Sequence, residues 1–126
     1  MKAVSMMLAL AATAVAGPAI ARGVPEAVPV GKAQNCVEII QIRESRVRND
    51  QVIDFYLRNG QVMRNTLPNS CPQLGFEEAF SYKTSLSRLC NVDIITVLNR
   101  VGGGIQRGAS CGLGMFQPVK IAKKAR

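Results

Sequence analysis

From Cys36 onward hydrophobic and polar positions alternate with a period nearer two than 3.6, which points to strands rather than helices. Val52, Ile53, Phe55, Tyr56 and Leu57 form a β-rich run, followed by Asn59-Gly60 and then by Gln61-Val62-Met63. An Asn-Gly pair between such runs signals a tight hairpin, because its turn positions favour positive φ. A two-residue turn there sets Arg58 opposite Gln61, Leu57 opposite Val62 and Tyr56 opposite Met63. Asn49-Asp50 marks a second turn, so residues 44–48, 51–57 and 61–63 are expected to run as a meander. The alternation within 52–57 is imperfect, as expected where a small sheet curls and both faces of its middle strand are partly covered.

Further on, Leu67-Pro68-Asn69-Ser70-Cys71-Pro72 reads as a turn cluster. Residues 76–82 read as strand, with a single helical turn as the alternative. Residues 93–98 are β-branched and apolar, and read as a buried strand opened by Asp93. The glycine-dense stretch 102–114 reads as a tight hairpin or bulged turn around Cys111. Residues 115–119 are expected as an edge strand, since Pro118 lacks an N–H donor. The fold class expected is therefore all-β: a small curled sheet or barrel of five to seven short strands, meander-like.

The N-terminus departs from this pattern. Met1-Lys2 precede an apolar run from Ala3 to Ala16, then Gly17-Pro18-Ala19-Ile20-Ala21. A transmembrane helix needs about 20 apolar residues; this run is shorter and ends in small residues, as in a cleavable signal peptide. Cleavage is expected after Ala21. The chain then divides into a signal peptide helix (1–21), a flexible Pro- and Gly-bearing leader (22–34), one β domain (35–119) and a basic tail (120–126). The expected location is periplasmic or secreted, with no membrane span once the signal peptide is gone.

A domain of about 100 residues buries a modest share of its surface and gains from covalent staples. Cys36, Cys71, Cys90 and Cys111 are expected to form two disulfides. Three pairings exist. Cys71–Cys90 with Cys36–Cys111 is favoured on geometry, the inner pair closing a short loop and the outer pair tying the ends. With no histidine and no Cys-x-x-Cys, neither a zinc site nor a thioredoxin-type redox pair is expected, and no cofactor is implied.

The missing histidine also removes the usual nucleophilic and proton-shuttle machinery. Glu77-Glu78 is the only adjacent carboxylate pair, and on a strand its members would face opposite ways. Asp93 reads as a turn-bonding carboxylate. The glycines lack the Gly-Lys-Ser/Thr ending of a phosphate cradle. Enzymatic activity is not expected.

Sixteen basic residues against eight acidic ones give a formal charge of +8, and loss of Lys2 would remove one unit. Arg46 and Arg48 share a face if both lie on one strand, and Arg64 on the next hairpin joins them in a candidate anion patch. Aromatic residues are few and tryptophan is absent, so a base-stacking nucleic-acid surface is not expected.

Asn65-Thr66-Leu67-Pro68-Asn69-Ser70-Cys71-Pro72, with Leu74-Gly75-Phe76-Glu77-Glu78-Ala79-Phe80-Ser81-Tyr82 and Leu89-Cys90-Asn91-Val92-Asp93-Ile94-Ile95, resembles a family of small exported bacterial proteins known only as a domain of unknown function. The resemblance covers about residues 36–98, through its Leu…Cys…Leu-Cys-x-x-Asp pattern. It implies an exported domain with Cys71 and Cys90 in matching positions, and it brings no activity, substrate or binding residue. The function expected is that of a monomeric, non-catalytic envelope protein meeting an anionic envelope component or an acidic protein. The alternative is a small secreted hydrolase or hydrolase inhibitor, with residues 67–75 as the inhibitory loop.

Overall fold

The structure is a computed structural model and describes residues 24–84 and 86–122. The signal peptide expected over 1–21 and the last four residues of the basic tail lie outside the described residues. Those described form an all-β, mostly antiparallel fold of ten short strands: β1 (Ala27–Pro29), β2 (Cys36–Glu38), β3 (Ile42–Val47), β4 (Val52–Leu57), β5 (Val62–Thr66), β6 (Phe80–Tyr82), β7 (Arg88–Cys90), β8 (Ile94–Val101), β9 (Gly104–Gly112) and β10 (Phe116–Ile121). A 3₁₀ turn (Ile39–Gln41) and one short helix, α1 (Leu74–Glu77), interrupt them. The strands are spread over three sheets instead of a single curled one, in the orders β1-β10-β5-β4-β3, β2-β7 and β6-β8-β9.

The meander β3-β4-β5 is present, with Val47 opposite Ile53 and Phe55 opposite Met63. Its second turn differs from expectation by one residue: Tyr56 pairs with Val62, and the Leu57 N–H donates to the Gln61 carbonyl. Three residues, Arg58, Asn59 and Gly60, make the loop, and Gly60 takes the positive φ of 89°. A three-residue loop closed by a left-handed glycine is the next most common hairpin connection after the two-residue turn. The Asn-Gly signal locates the turn but does not separate these two forms.

Strand alternation sends Ile53, Phe55 and Leu57 of β4 to one face and Val52, Asp54 and Tyr56 to the other. The first set enters the core with Met63, Phe116, Leu67, Leu74, Leu89, Ile95 and Val97, so the core lies between the five-stranded sheet and the two smaller ones. Phe55 is fully buried and meets Phe80 and Phe116 edge-on, at centroid distances of 6.3 and 5.5 Å. Burying one such ring contributes roughly 3 kcal/mol. Asn65, also fully buried, exchanges two hydrogen bonds with the Gly114 backbone (2.7 and 2.8 Å). This amide acts as a strand substitute where Leu113 and Gly114 cross beneath β5.

Several local expectations are corrected. Residues 76–82 are not one strand, because α1 extends to Glu77 and Glu78 caps it at a φ of 53°, leaving only Phe80–Tyr82 extended. The glycine-dense stretch is mostly strand: Gly102 and Gly103, both at positive φ, form a two-residue turn and β9 follows for nine residues. Pro118 does not confine its strand to an edge, for β10 lies between β1 and β5. Its carbonyl accepts from the Val30 N–H (2.9 Å), so the missing donor faces the short strand β1 and costs β5 nothing. The leader is not wholly flexible, since Ala27–Pro29 is β1. Lys120 and Ile121, expected in the basic tail, belong to β10.

The disulfides are Cys36–Cys90 and Cys71–Cys111, which overturns the favoured pairing. Strand pairing decides it: β2 lies against β7 with Cys36 directly opposite Cys90, Cα atoms 4.0 Å apart. Cys71, after β5, meets β9 at Cys111 with Cα atoms 5.9 Å apart. The bridges therefore cross in sequence, where loop-length reasoning favoured nesting. The Asp93 carboxylate accepts from the Cys90 N–H (2.7 Å), the turn role expected of it.

Candidate functional site

The outer face of the five-stranded sheet carries the three arginines. Register sets Arg46, Asp54 and Arg64 in a row across β3, β4 and β5, with Gln117 of β10 beyond. Arg48 joins from the loop end of β3, so all three arginines share one face. What joins Arg48 and Arg64 is Asp54, which is fully buried. Its Oδ1 accepts from Arg64 Nε (2.8 Å), and its Oδ2 accepts from Arg64 Nη2 and Arg48 Nε (both 2.9 Å). Arg48 Nη2 also donates to the Tyr56 hydroxyl (2.9 Å). Arg46 lies over the Tyr56 ring at 4.6 Å and donates from Nε to Glu44 Oε2 (2.8 Å).

This network accounts for the imperfect alternation of 52–57. The outer face is covered by guanidinium groups laid flat on the sheet, so Val52 and Tyr56 are half-buried on that side too. Asp54 is the residue that sequence reasoning missed. Its signal was available: one carboxylate inside an apolar strand, at an outward position flanked across the sheet by two arginines.

Hydrogen bonding to Asp54 holds the Arg64 guanidinium above its ordinary pKa, against the opposing effect of burial. The Glu44 bond raises Arg46 in the same sense, and the Arg46 bond lowers Glu44. Arg48 and Arg64 side chains are 15% exposed, whereas Arg46 is 51% exposed and Glu44 40%. The solvent-facing part of the patch is thus Arg46, with Glu44 and Arg43 (3.7 Å from Glu44) at its margin. Asp54 is sealed from solvent with both oxygens engaged, so it has no path to a substrate as a general base.

Arg48 also lines a cleft of about 480 Å³ with Asn49, Asp50, Gln51, Ser70 and Gly75. Its walls are held by local bonds. Asn49 Oδ1 accepts from the Gln51 and Val52 N–H groups, Asp50 Oδ1 accepts from the Gly75 N–H (2.7 Å), and the Asp50 carbonyl accepts from the Cys71 N–H (2.7 Å). Asp50 is the cleft's one carboxylate and is already engaged. Glu77 and Glu78 lie at the end of α1, away from the arginine row, and Glu77 accepts from the Arg100 N–H at 3.3 Å. Among the described residues no group of three or more His, Cys, Asp or Glu is placed to hold a metal, and no cysteine is free.

The chain matches no family model, no curated protein and no solved structure. Two disulfides, and among the described residues no helix long and apolar enough to cross a membrane, are compatible with an exported protein.

Proposed function

We propose that this chain is an exported, non-catalytic binding domain, working in the periplasm or outside the cell, that presents the β3-β4-β5 face and its adjoining cleft to an anionic group. The group is carried by an envelope component or by an acidic protein; the recognition chemistry is shared. The observation that carries this reading is the Asp54 clamp. It fixes Arg48 and Arg64 on the sheet, and the half-exposed Arg46 beside them is held over the Tyr56 ring and bonded to Glu44, so the site loses little side-chain entropy when an anion docks. The short apolar run at 3–16, the disulfides and the resemblance over 36–98 support the exported location.

The alternative of a hydrolase or an inhibitor draws less support. The loop 67–75 is drawn against residues 50–51 by the Leu67 and Cys71 N–H bonds and ends in α1, so it is not a protruding extended segment.

The test is retention of the processed chain on an immobilised polyanion at low and high salt, with Arg46→Glu as the variant. Retention that falls with salt and is lost in Arg46→Glu is expected, because exposed charges are screened. Retention at neither salt, or equal retention of the variant, would overturn the proposal.

A further inference from the structure

We propose that the free edge of β9 is a docking site for an extended acidic peptide, which adds a strand to the β6-β8-β9 sheet. This surface is separate from the arginine face of β3-β4-β5. In the order β6-β8-β9 one side of the β9 backbone has no partner strand among the described residues. The turn dictates which groups point there. A two-residue turn at Gly102-Gly103 makes Val101 and Gly104 a hydrogen-bonded pair, and Asn99 and Gln106 the next. Ile105 and Arg107 therefore turn their N–H and C=O groups outward. The register shift between Thr96 and Leu98 confines the regular ledge to the part of β9 near the turn.

The other sheet edges are protected in ways this ledge is not. β1 has three residues and ends in Pro29, while β2, β6 and β7 have three each. β3 is bulged between Ile42 and Glu44 and carries Arg43, Arg46 and Arg48 at or beside that edge. Short length, proline, bulges and charge are the devices by which sheets avoid unwanted pairing. The ledge of β9 is the regular run 104–107 between the turn and the register shift; it holds no proline, and Ile105 is 68% exposed.

Charge selects the occupant. Residues 94–112 contain Arg100 and Arg107 and no acidic residue. Arg100 lies opposite Ile105, and Leu98 opposite Arg107, so both arginines share a face with the exposed isoleucine. Neither enters an ion pair among the described residues. Glu77 meets the Arg100 backbone N–H, on the side of β8 away from β9. A second copy of β9 would bring four arginines onto one face with no carboxylate among them, which opposes pairing. An acidic strand with alternating apolar residues turns its carboxylates to the face of Arg107, with Arg100 behind it, and covers Ile105 with the methylenes of those acidic side chains, while its backbone bonds the ledge.

The experiment is an NMR titration of the processed chain with an acetylated Glu-Val octapeptide. A Lys-Val octapeptide and a Glu-Val peptide with a central proline serve as controls. The Glu-Val peptide is expected to shift and protect the Ile105 and Arg107 amides, and neither control should do so. The double variant Arg100→Glu/Arg107→Glu is expected to weaken binding by at least about tenfold. Ile105→Pro, which removes an outward N–H and no ladder bond, should abolish it with the remaining amide spectrum kept. Equal binding of the Lys-Val peptide, shifts confined to β3-β4-β5, or self-association through Ile105 without peptide would each overturn the proposal.

Discussion

Asp54 is the residue on which the outer face depends, and its environment sets the sign of any change there. A buried carboxylate accepting three charge-assisted hydrogen bonds balances two guanidinium groups that are themselves 15% exposed. Removing it leaves both arginines over a strand with no counter-charge, and breaking such a pair from one side costs about 3 kcal/mol. Asp54→Ala is therefore expected to lower stability by about that amount in urea unfolding. The milder Asp54→Asn keeps the shape and loses the charge, and should fall between it and the parent. A loss below about 0.5 kcal/mol for both would show the clamp to be no stronger than a surface ion pair. Arg64 does not titrate near neutrality: with its folded pKa raised above the ordinary guanidinium value by the bond to Asp54, it contributes fully below that value and its contribution is lost only as pH climbs through the raised one.

At the scale of elements, the two disulfides hold together pieces that pair weakly by themselves. β2 and β7 are three residues each and form a sheet of two strands, which is marginal in water without other support. Their bridge spans 54 residues and the other spans 40, so each removes about 4 kcal/mol of unfolded-state freedom in the chain-entropy view. Cys36→Ser/Cys90→Ser and Cys71→Ser/Cys111→Ser are each expected to lower the thermal midpoint substantially, and the quadruple variant should not fold at ambient temperature. A quadruple variant with a native-like unfolding transition would contradict this. Mass mapping of unreduced peptides tests the crossed pairing itself.

The same elements show what was legible in the sequence. The meander, both turn positions and the all-β class followed from local chemistry: alternating apolar residues, Asn49-Asp50 and Asn59-Gly60. What escaped depended on contacts distant along the chain. Whether a hairpin loop has two or three residues is a difference of one hydrogen bond. Pro118 sits inside a sheet only because β1, from the leader, closes beside it, and which cysteines meet depends on β2 finding β7. At the candidate site the shared face of Arg46, Arg48 and Arg64 followed from period two, whereas Asp54 was legible only once the register placed it between them.

For the molecule as a whole, the position of the charge matters more than its sum. All eight acidic residues lie among the described residues, but Lys2, Arg22, Lys123, Lys124 and Arg126 lie outside them. The described body thus sets eleven basic residues against eight acidic ones, and several of those are paired with each other. The proposed polyanion binding has two candidate sources: a folded face centred on Arg46, and the basic C-terminal segment beyond β10. They differ in how they respond to change. Deleting residues 123–126 removes three charges without touching a described strand, while Arg46→Glu changes the charge by two at one place on the sheet. If the folded face carries the binding, the deletion shifts the eluting salt concentration only modestly and Arg46→Glu removes retention. If the tail carries it, the order reverses, and the slope of affinity against salt falls with the tail because fewer counterions are released. Measuring both variants on the same polyanion column, across the same salt gradient, separates a site from a charge. The proposed site requires the first order.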